Sequence, residues 1–179
     1  GRHLGARAAL LDGGMDAWVA AGHPVTASVP APVAGKLSPL KTRPIVVEAG
    51  RVREALGRPG FAVVDGRSAS FYDGVDTGGS RESQHCTGHI AGAGSAPFTG
   101  VFDDDVKLRS PEELAALLAK AGVKPGDTVI GYCHIGQQAT AVLFAARSLG
   151  HPVLRYDGSF EDWSRHAGFP VENPSKKSG

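Results

Sequence analysis

The chain has 179 residues, enough at the usual ~150 residues per domain for one full domain and a small remainder, which excludes a mini-protein that needs staples. Hydrophobic residues make up 41% and charged residues 21%, ordinary for a folded domain, while 25 glycines and 12 prolines announce many turns. Nineteen Lys and Arg against eighteen Asp and Glu leave a net charge of +1. That balance excludes an electrostatic footprint for nucleic acid or an anionic membrane, so function has to come from a local site.

No apolar stretch approaches the ~18 residues of a membrane span, and the opening Gly1-Arg2-His3-Leu4 has no signal-peptide pattern. A soluble, cytoplasmic protein is the expectation. The two cysteines, Cys86 and Cys133, lie 47 positions apart, which argues against a disulfide framework and against a multi-cysteine metal site.

In chain order, the first feature is a motif that returns. Leu11-Asp12-Gly13-Gly14-Met15-Asp16-Ala17-Trp18 matches Tyr156-Asp157-Gly158-Ser159-Phe160-Glu161-Asp162-Trp163, and the match continues through Gly22-His23-Pro24-Val25 and Gly168-Phe169-Pro170-Val171 with one extra residue in the second copy. Both tryptophans, each at helical distance from an Asp-Gly turn, read as core anchors. The second copy closes a domain that began well upstream, so the first should close one too. Residues 1–28 are therefore expected to be the end of a first domain most of which is missing. The Pro-rich stretch within residues 29–43 reads as a linker. The intact domain is expected over 44–174, with a flexible tail at 175–179.

Within it, Phe61 to Val64 predicts a buried strand ending in Asp65-Gly66-Arg67. Asp103-Asp104-Asp105 reads as a solvated loop. Ser110 predicts a helix N-cap, with Pro111 in first position, Glu113 completing a capping box and Gly122 ending the helix. Asp127 to Tyr132 predicts a strand, Ala139 to Leu149 an amphipathic helix and Val153 to Tyr156 another strand, after which Ser159 is a candidate cap for a helix carrying Trp163. This alternation implies an α/β fold: a parallel central sheet with helices on both faces. In such folds ligands bind at the carboxyl ends of the strands.

Cys133 stands at one such end, followed by His134-Ile135-Gly136-Gln137-Gln138 and then a helix. The amides of such a loop and the helix start form a cradle for negative charge, and the same field favours the reactive thiolate. Gly136 permits the tight turn. The bland alternative is a buried, inert cysteine at a strand end.

The stretch Tyr132 to Thr140, with Val64-Asp65-Gly66-Arg67, Gly88-His89-Ile90-Ala91-Gly92-Ala93 and Tyr156-Asp157-Gly158-Ser159 through Trp163, resembles a rhodanese, a sulfurtransferase. The resemblance runs from about Pro44 to Glu172, and the stretch up to Thr26 is similar to the tail of the inactive N-terminal domain of tandem rhodaneses. It implies a rhodanese-like fold and a six-residue active loop, Cys133 to Gln138. There the cysteine takes a sulfane sulfur from thiosulfate or 3-mercaptopyruvate as a persulfide. It passes that sulfur to a thiophilic acceptor such as cyanide or a thiol, a thioredoxin-like or other thiol protein among them. No metal and no organic cofactor is implied. His134 and Ile135 fit neither the cationic loop of thiosulfate-preferring members nor the small Gly-Ser type of mercaptopyruvate-preferring ones. The family often has Arg where this chain has Phe71, before Tyr72, and Arg81 in the long Gly-rich loop is the candidate to replace that charge.

Asp65 and Arg67 are candidates for substrate binding or for bracing the active loop, with bracing the favoured role. His89 within Gly-His-Ile looks catalytic in isolation, but the resemblance implies a turn residue. His85, Cys86 and His89 lack a fourth metal ligand, so Cys86 reads as an exposed, oxidisable thiol. A cysteine phosphatase or arsenate reductase would need Arg at position 139, where this chain has Ala. A noncatalytic rhodanese-like interaction module remains the alternative to the enzyme.

Overall fold

The apolar runs of the sequence become the strands of one parallel sheet. The computed structural model describes residues 9–35, 43–76 and 87–176. Its strands are β1 (Val46–Val47), β2 (Phe61–Asp65), β3 (His89–Ile90), β4 (Gly94–Ser95), β5 (Thr128–Tyr132), β6 (Val153–Tyr156) and β7 (Val171–Glu172). Five of them pair in the order β1-β6-β5-β2-β4, every pair parallel, while β3 and β7 form a separate antiparallel pair. In register, Asp65 lies beside Tyr132 and Gly131 beside Arg155. The carboxyl ends of β2, β5 and β6 therefore share one edge of the sheet, and β5 is its middle strand.

Because side chains alternate across a strand, the four consecutive buried residues of β2 and of β5 bury both faces of the sheet centre. Val63, Ile130 and Tyr132 join Ala49, Val52 and Ala55 of α2 (Ala49–Ala55) and Phe160 and Trp163 of α6 (Ser159–Trp163) in one core cluster. After β2 comes the short α3 (Ala69–Tyr72), and on the other side of the sheet α5 (Ala139–Ser148) covers β5 and β6 and packs against α4 (Pro111–Lys120). Gly131 allows that approach, since a Cβ there would stand 2.7 Å from Leu143 Cγ.

The start of α4 follows the sequence signal. Glu113 N–H donates to Ser110 Oγ at 3.3 Å, and Ser110 N–H donates to Glu113 Oε2 at 3.0 Å, a complete capping box. The bond from the Ser110 amide holds the Glu113 carboxyl below its usual range. Gly122 leaves the helix at φ 81°. Among the described residues, no helix is long and apolar enough to cross a membrane.

The chain divides between Pro44 and Ile45 into two compact units, and Phe102–Leu108 groups with the first. In that unit α1 (Gly14–Ala20) carries Trp18, whose Nε1–H donates to Pro24 O at 3.0 Å. Leu108 N–H donates to Asp12 Oδ1 at 2.8 Å. Residues 29–35 have no regular structure and are exposed.

Four expectations need correction. Trp18 is half-buried and α1 has no buried residue, so only Trp163 is a core anchor. Ser159 does not cap α6: Gly158 occupies that position, and Ser159 is the first helical residue, at φ 54°. His89 belongs to β3 and not to a turn; its Nδ1–H donates to Tyr72 O at 2.8 Å, and Nε2 stands 3.2 Å from a Glu172 carboxylate oxygen. The tail expected at 175–179 starts later, since Ser175 and Lys176 lie in a 3-10 turn (Pro174–Lys176) whose Ser175 N–H donates to Asp73 O, and residues 177–179 lie outside the described residues.

Trp163 is fully buried and its Nε1–H donates to Pro170 O at 3.1 Å, the same bond that Trp18 makes to Pro24. Trp163→Ala is expected to cost about 3–5 kcal/mol of unfolding free energy by urea titration, the range for emptying a large core site. Trp18→Ala, from a half-buried site, is expected to cost clearly less.

Candidate active site

Three strand ends converge on Cys133. The residue follows β5 directly and is 1% exposed, on the wall of a pocket of about 240 Å³ lined by Arg67, Phe71, Cys133, His134, Ile135, Gln137 and Gln138. A pocket of that size suits a molecule of a few heavy atoms. The sequence-predicted loop residues 134, 135, 137 and 138 are thus brought together with Arg67. Arg81 lies outside the described residues, as do His85 and Cys86.

The first residues of α6 hold the Cys133 main chain. Cys133 N–H donates to Ser159 Oγ at 3.2 Å, and Ser159 Oγ–H donates to Tyr156 O at 2.9 Å. Phe160 N–H donates to Cys133 O at 3.0 Å, and Glu161 N–H to His134 O at 3.2 Å. Tyr156, at the end of β6, donates its hydroxyl to Asp162 Oδ2 at 2.5 Å, so α6 is itself anchored to the strand before it. Burial, reinforced by that bond to Asp162, raises the Tyr156 pKa.

Beyond Cys133 the pattern reverses. The amides of residues 134 to 139 have no acceptor among the described residues, and α5 begins without a side-chain cap. Six consecutive unpaired donors beside a thiol make an anion cradle of main chain alone. Gly136 closes the turn at φ 86°, and a Cβ there would stand 2.6 Å from Asp157 Oδ1, so the position excludes a side chain by conformation and by space.

Asp65 and Arg67 are both buried. Arg67 Nε and Nη2 fork onto the Asp65 carboxylate, at 2.6 Å for the Nη2 bond, and Nη2 also donates to Gly88 O at 2.7 Å. Burial opposes the Arg67 charge, but Asp65 outweighs it and raises the guanidinium pKa. Arg67 makes no hydrogen bond to residues 133–138. Its guanidinium lies over the ring of Phe160 in α6 at 4.4 Å. Burial first, and Asp65 second, push the neighbouring Tyr132 hydroxyl well above its usual pKa; that hydroxyl accepts from Ile90 N–H at 3.1 Å.

His134 is the loop's remaining ionisable group. Its Nε2 stands 4.0 Å from Glu161 Oε2, its Nδ1 is buried without a partner among the described residues, and Glu161 also pairs with Arg165. Sequence reasoning did not find Ser159 or Glu161 as site residues, since their roles depend on a loop 26 positions away in the chain from Ser159. It did find Phe71, as a departure from a family pattern, and Phe71 lines the pocket.

Removing one member of the buried pair strands the other's charge, so Arg67→Ala is expected to lose about 3–5 kcal/mol. The double change Asp65→Asn with Arg67→Met should recover much of that in the same denaturation assay. Gly136→Ala should keep the fold, as judged by circular dichroism, while deforming the loop enough to change the alkylation rate of Cys133.

Residues 48–166 match the Rhodanese-like domain family. Over 169 residues the chain is 32% identical to a thiosulfate sulfurtransferase of Pseudomonas aeruginosa, covering 90% of this chain and 58% of the relative. It is also 32% identical, over 167 residues, to a protein of the same organism named "Probable 3-mercaptopyruvate sulfurtransferase", covering 90% and 56%. The chain thus spans somewhat over half the length of these relatives. Among solved structures it is similar to the anaerobic ergothioneine biosynthesis enzyme of Chlorobium limicola, with a TM-score of 0.81 and 26% identity over 91% of this chain and 40% of that one. With the family covering residues 48–166 and the Cys133 loop at the end of the middle strand, the chain belongs to the rhodanese-like domain family.

Proposed function

We propose that the protein is a sulfurtransferase that carries a sulfane sulfur as a persulfide on Cys133. The observation that carries this reading is the run of six unpaired amides beside the Cys133 thiol in a small pocket. A persulfide is a soft anion one atom longer than a thiolate, and main-chain donors can hold its terminal sulfur without a side-chain base.

With thiosulfate as donor, the Cys133 thiolate attacks the outer sulfur. An Sγ–S bond forms, the donor's S–S bond breaks, and its electron pair leaves with sulfite. With 3-mercaptopyruvate the C–S bond breaks instead, and the thiol proton ends on the methyl carbon of pyruvate. In the second half a nucleophile attacks the terminal sulfur and the Sγ–S pair returns to Cys133. Cyanide leaves as thiocyanate and a thiol as its persulfide. The balance closes without an oxidant, a metal or an organic cofactor.

Both donors belong to the proposal. Arg67 spends its charge on Asp65, so the positive character described in the pocket comes from the main-chain amides. Thiosulfate and mercaptopyruvate both present a sulfur on a small anion that such a cradle accommodates. Residues 1–28 are proposed as the end of a preceding inactive rhodanese-like domain, a reading supported by the matched tryptophan bonds, and 44–174 as the catalytic one. A cellular thiol, including that of a thioredoxin-like protein, is the proposed acceptor.

Intact and peptide mass spectrometry after incubation with thiosulfate or 3-mercaptopyruvate tests the reading. One added sulfur on Cys133, discharged by cyanide, is the expected result. Cys133→Ser should abolish it and Cys86→Ser should largely preserve it. No adduct from either donor would favour a noncatalytic interaction module, and equal losses in the two variants would refute the assignment of the nucleophile.

A further inference from the structure

Ser159 has a backbone conformation that its residue type disfavours. Its φ is 54°, and among the described residues only one other non-glycine, Val106 in an exposed turn, has positive φ. L residues pay for this region because Cβ crowds the following carbonyl oxygen, and glycine is its usual occupant. The internal repeat shows what the chain does there without a site to serve. The residue matching Ser159 in the first copy is Gly14, at φ 60°. The two copies thus share a left-handed residue at the start of the Trp-bearing helix. One satisfies it with glycine, the other with a buried serine.

The serine gains two bonds that glycine cannot make. Its Oγ accepts the Cys133 N–H and donates to Tyr156 O, which engages the hydroxyl in both directions. Phe160 N–H takes the Cys133 carbonyl. Both main-chain polar groups of Cys133 are therefore held from consecutive residues of α6, which fixes the torsions that aim Sγ. Because the Cys133 amide is committed to Ser159, the cradle that faces a bound sulfur begins at residue 134. Strained residues persist where the surroundings over-determine them, and they cluster at functional sites.

We propose that Ser159 is a positioning residue for sulfur transfer, its hydroxyl locking the main chain of Cys133 at the cost of a left-handed backbone. This rests on the sulfurtransferase reading above. Ser159 touches neither donor nor acceptor, so its loss should act on turnover and not on donor affinity.

The test compares Ser159→Ala, which keeps the strain and loses the hydroxyl, with Ser159→Gly, which loses both. Thermal melts should place the glycine variant above the alanine variant. Both should nevertheless lose kcat for thiosulfate-to-cyanide transfer by about 10- to 100-fold with KM nearly unchanged, the scale of effect for misplacing a reacting group. A merely structural serine would give the opposite pattern. Activity would then follow melting temperature, with the glycine variant within about threefold of the unmodified protein, or KM would rise at constant kcat, and either result overturns the proposal. If the alanine variant does not fold, the glycine variant carries the comparison with the unmodified protein alone. Iodoacetamide labelling of Cys133, followed by peptide mass, is read in parallel and does not depend on sulfur transfer. Slowing by at least about threefold in the folded variants is expected, since a displaced thiol sits less well in the amide field. If the unmodified protein takes up no sulfur, the sulfurtransferase reading fails by itself and labelling decides on Ser159: slowing sustains its positioning role and an unchanged rate rejects it.

Discussion

A loop that offers its amides to a ligand cannot also use them to hold itself in shape. That constraint governs the architecture around Cys133. The six donors of residues 134–139 are open to an anion because no acceptor among the described residues claims them, so the loop forgoes the internal bonds that make an ordinary turn rigid. Rigidity is imported. The start of α6 grips Cys133 and His134 by their main chains, the strand β5 fixes the entry, and α5 fixes the exit. Gly136, pressed against Asp157, places the turn where these supports meet.

The Asp65–Arg67 pair follows from the same logic one layer out. A buried ion pair costs desolvation and offers little net stability compared with apolar packing. Its value here is geometric. The fork onto Asp65 fixes the guanidinium plane, and that plane covers Phe160 while the same Nη2 also donates to Gly88 O at the head of β3. The helix that grips the loop is thereby seated on an arginine whose charge is already neutralised.

Much of this was legible in the sequence, and the reasons differ by element. The capping box of α4 is readable because all its partners lie within four residues, and strands β2 and β5 because buried parallel strands are apolar runs ended by turn residues. The Cys133 loop was readable from its place after such a strand. Short strands were not: β3 and β4 have two residues each, too few for any periodicity, and His89 passed for a turn residue because its pairing partner Glu172 is 83 positions away. Ser159 looked like a cap because a serine after Asp-Gly usually is one. Only the position of Cys133 in space redirects its hydroxyl.

The repeat separates what a local sequence dictates from what it does not. Both copies turn at Asp-Gly, start a short helix with a left-handed residue, and send a tryptophan Nε1–H to the carbonyl of a proline six or seven residues later. Those features need no tertiary partner, so the same letters produce them twice. Burial does need one: Phe160 and Trp163 are sealed in the core of their own domain, whereas the matching Met15 and Trp18 are exposed and half-buried. A site needs more still, since Cys133, the residues that hold its main chain and the Asp65–Arg67 pair come from the ends of three different strands. The turn-and-helix unit is therefore a reusable scaffold. At its left-handed position the first copy has Gly14 and the second Ser159, and only the serine offers a hydroxyl that reaches the Cys133 amide.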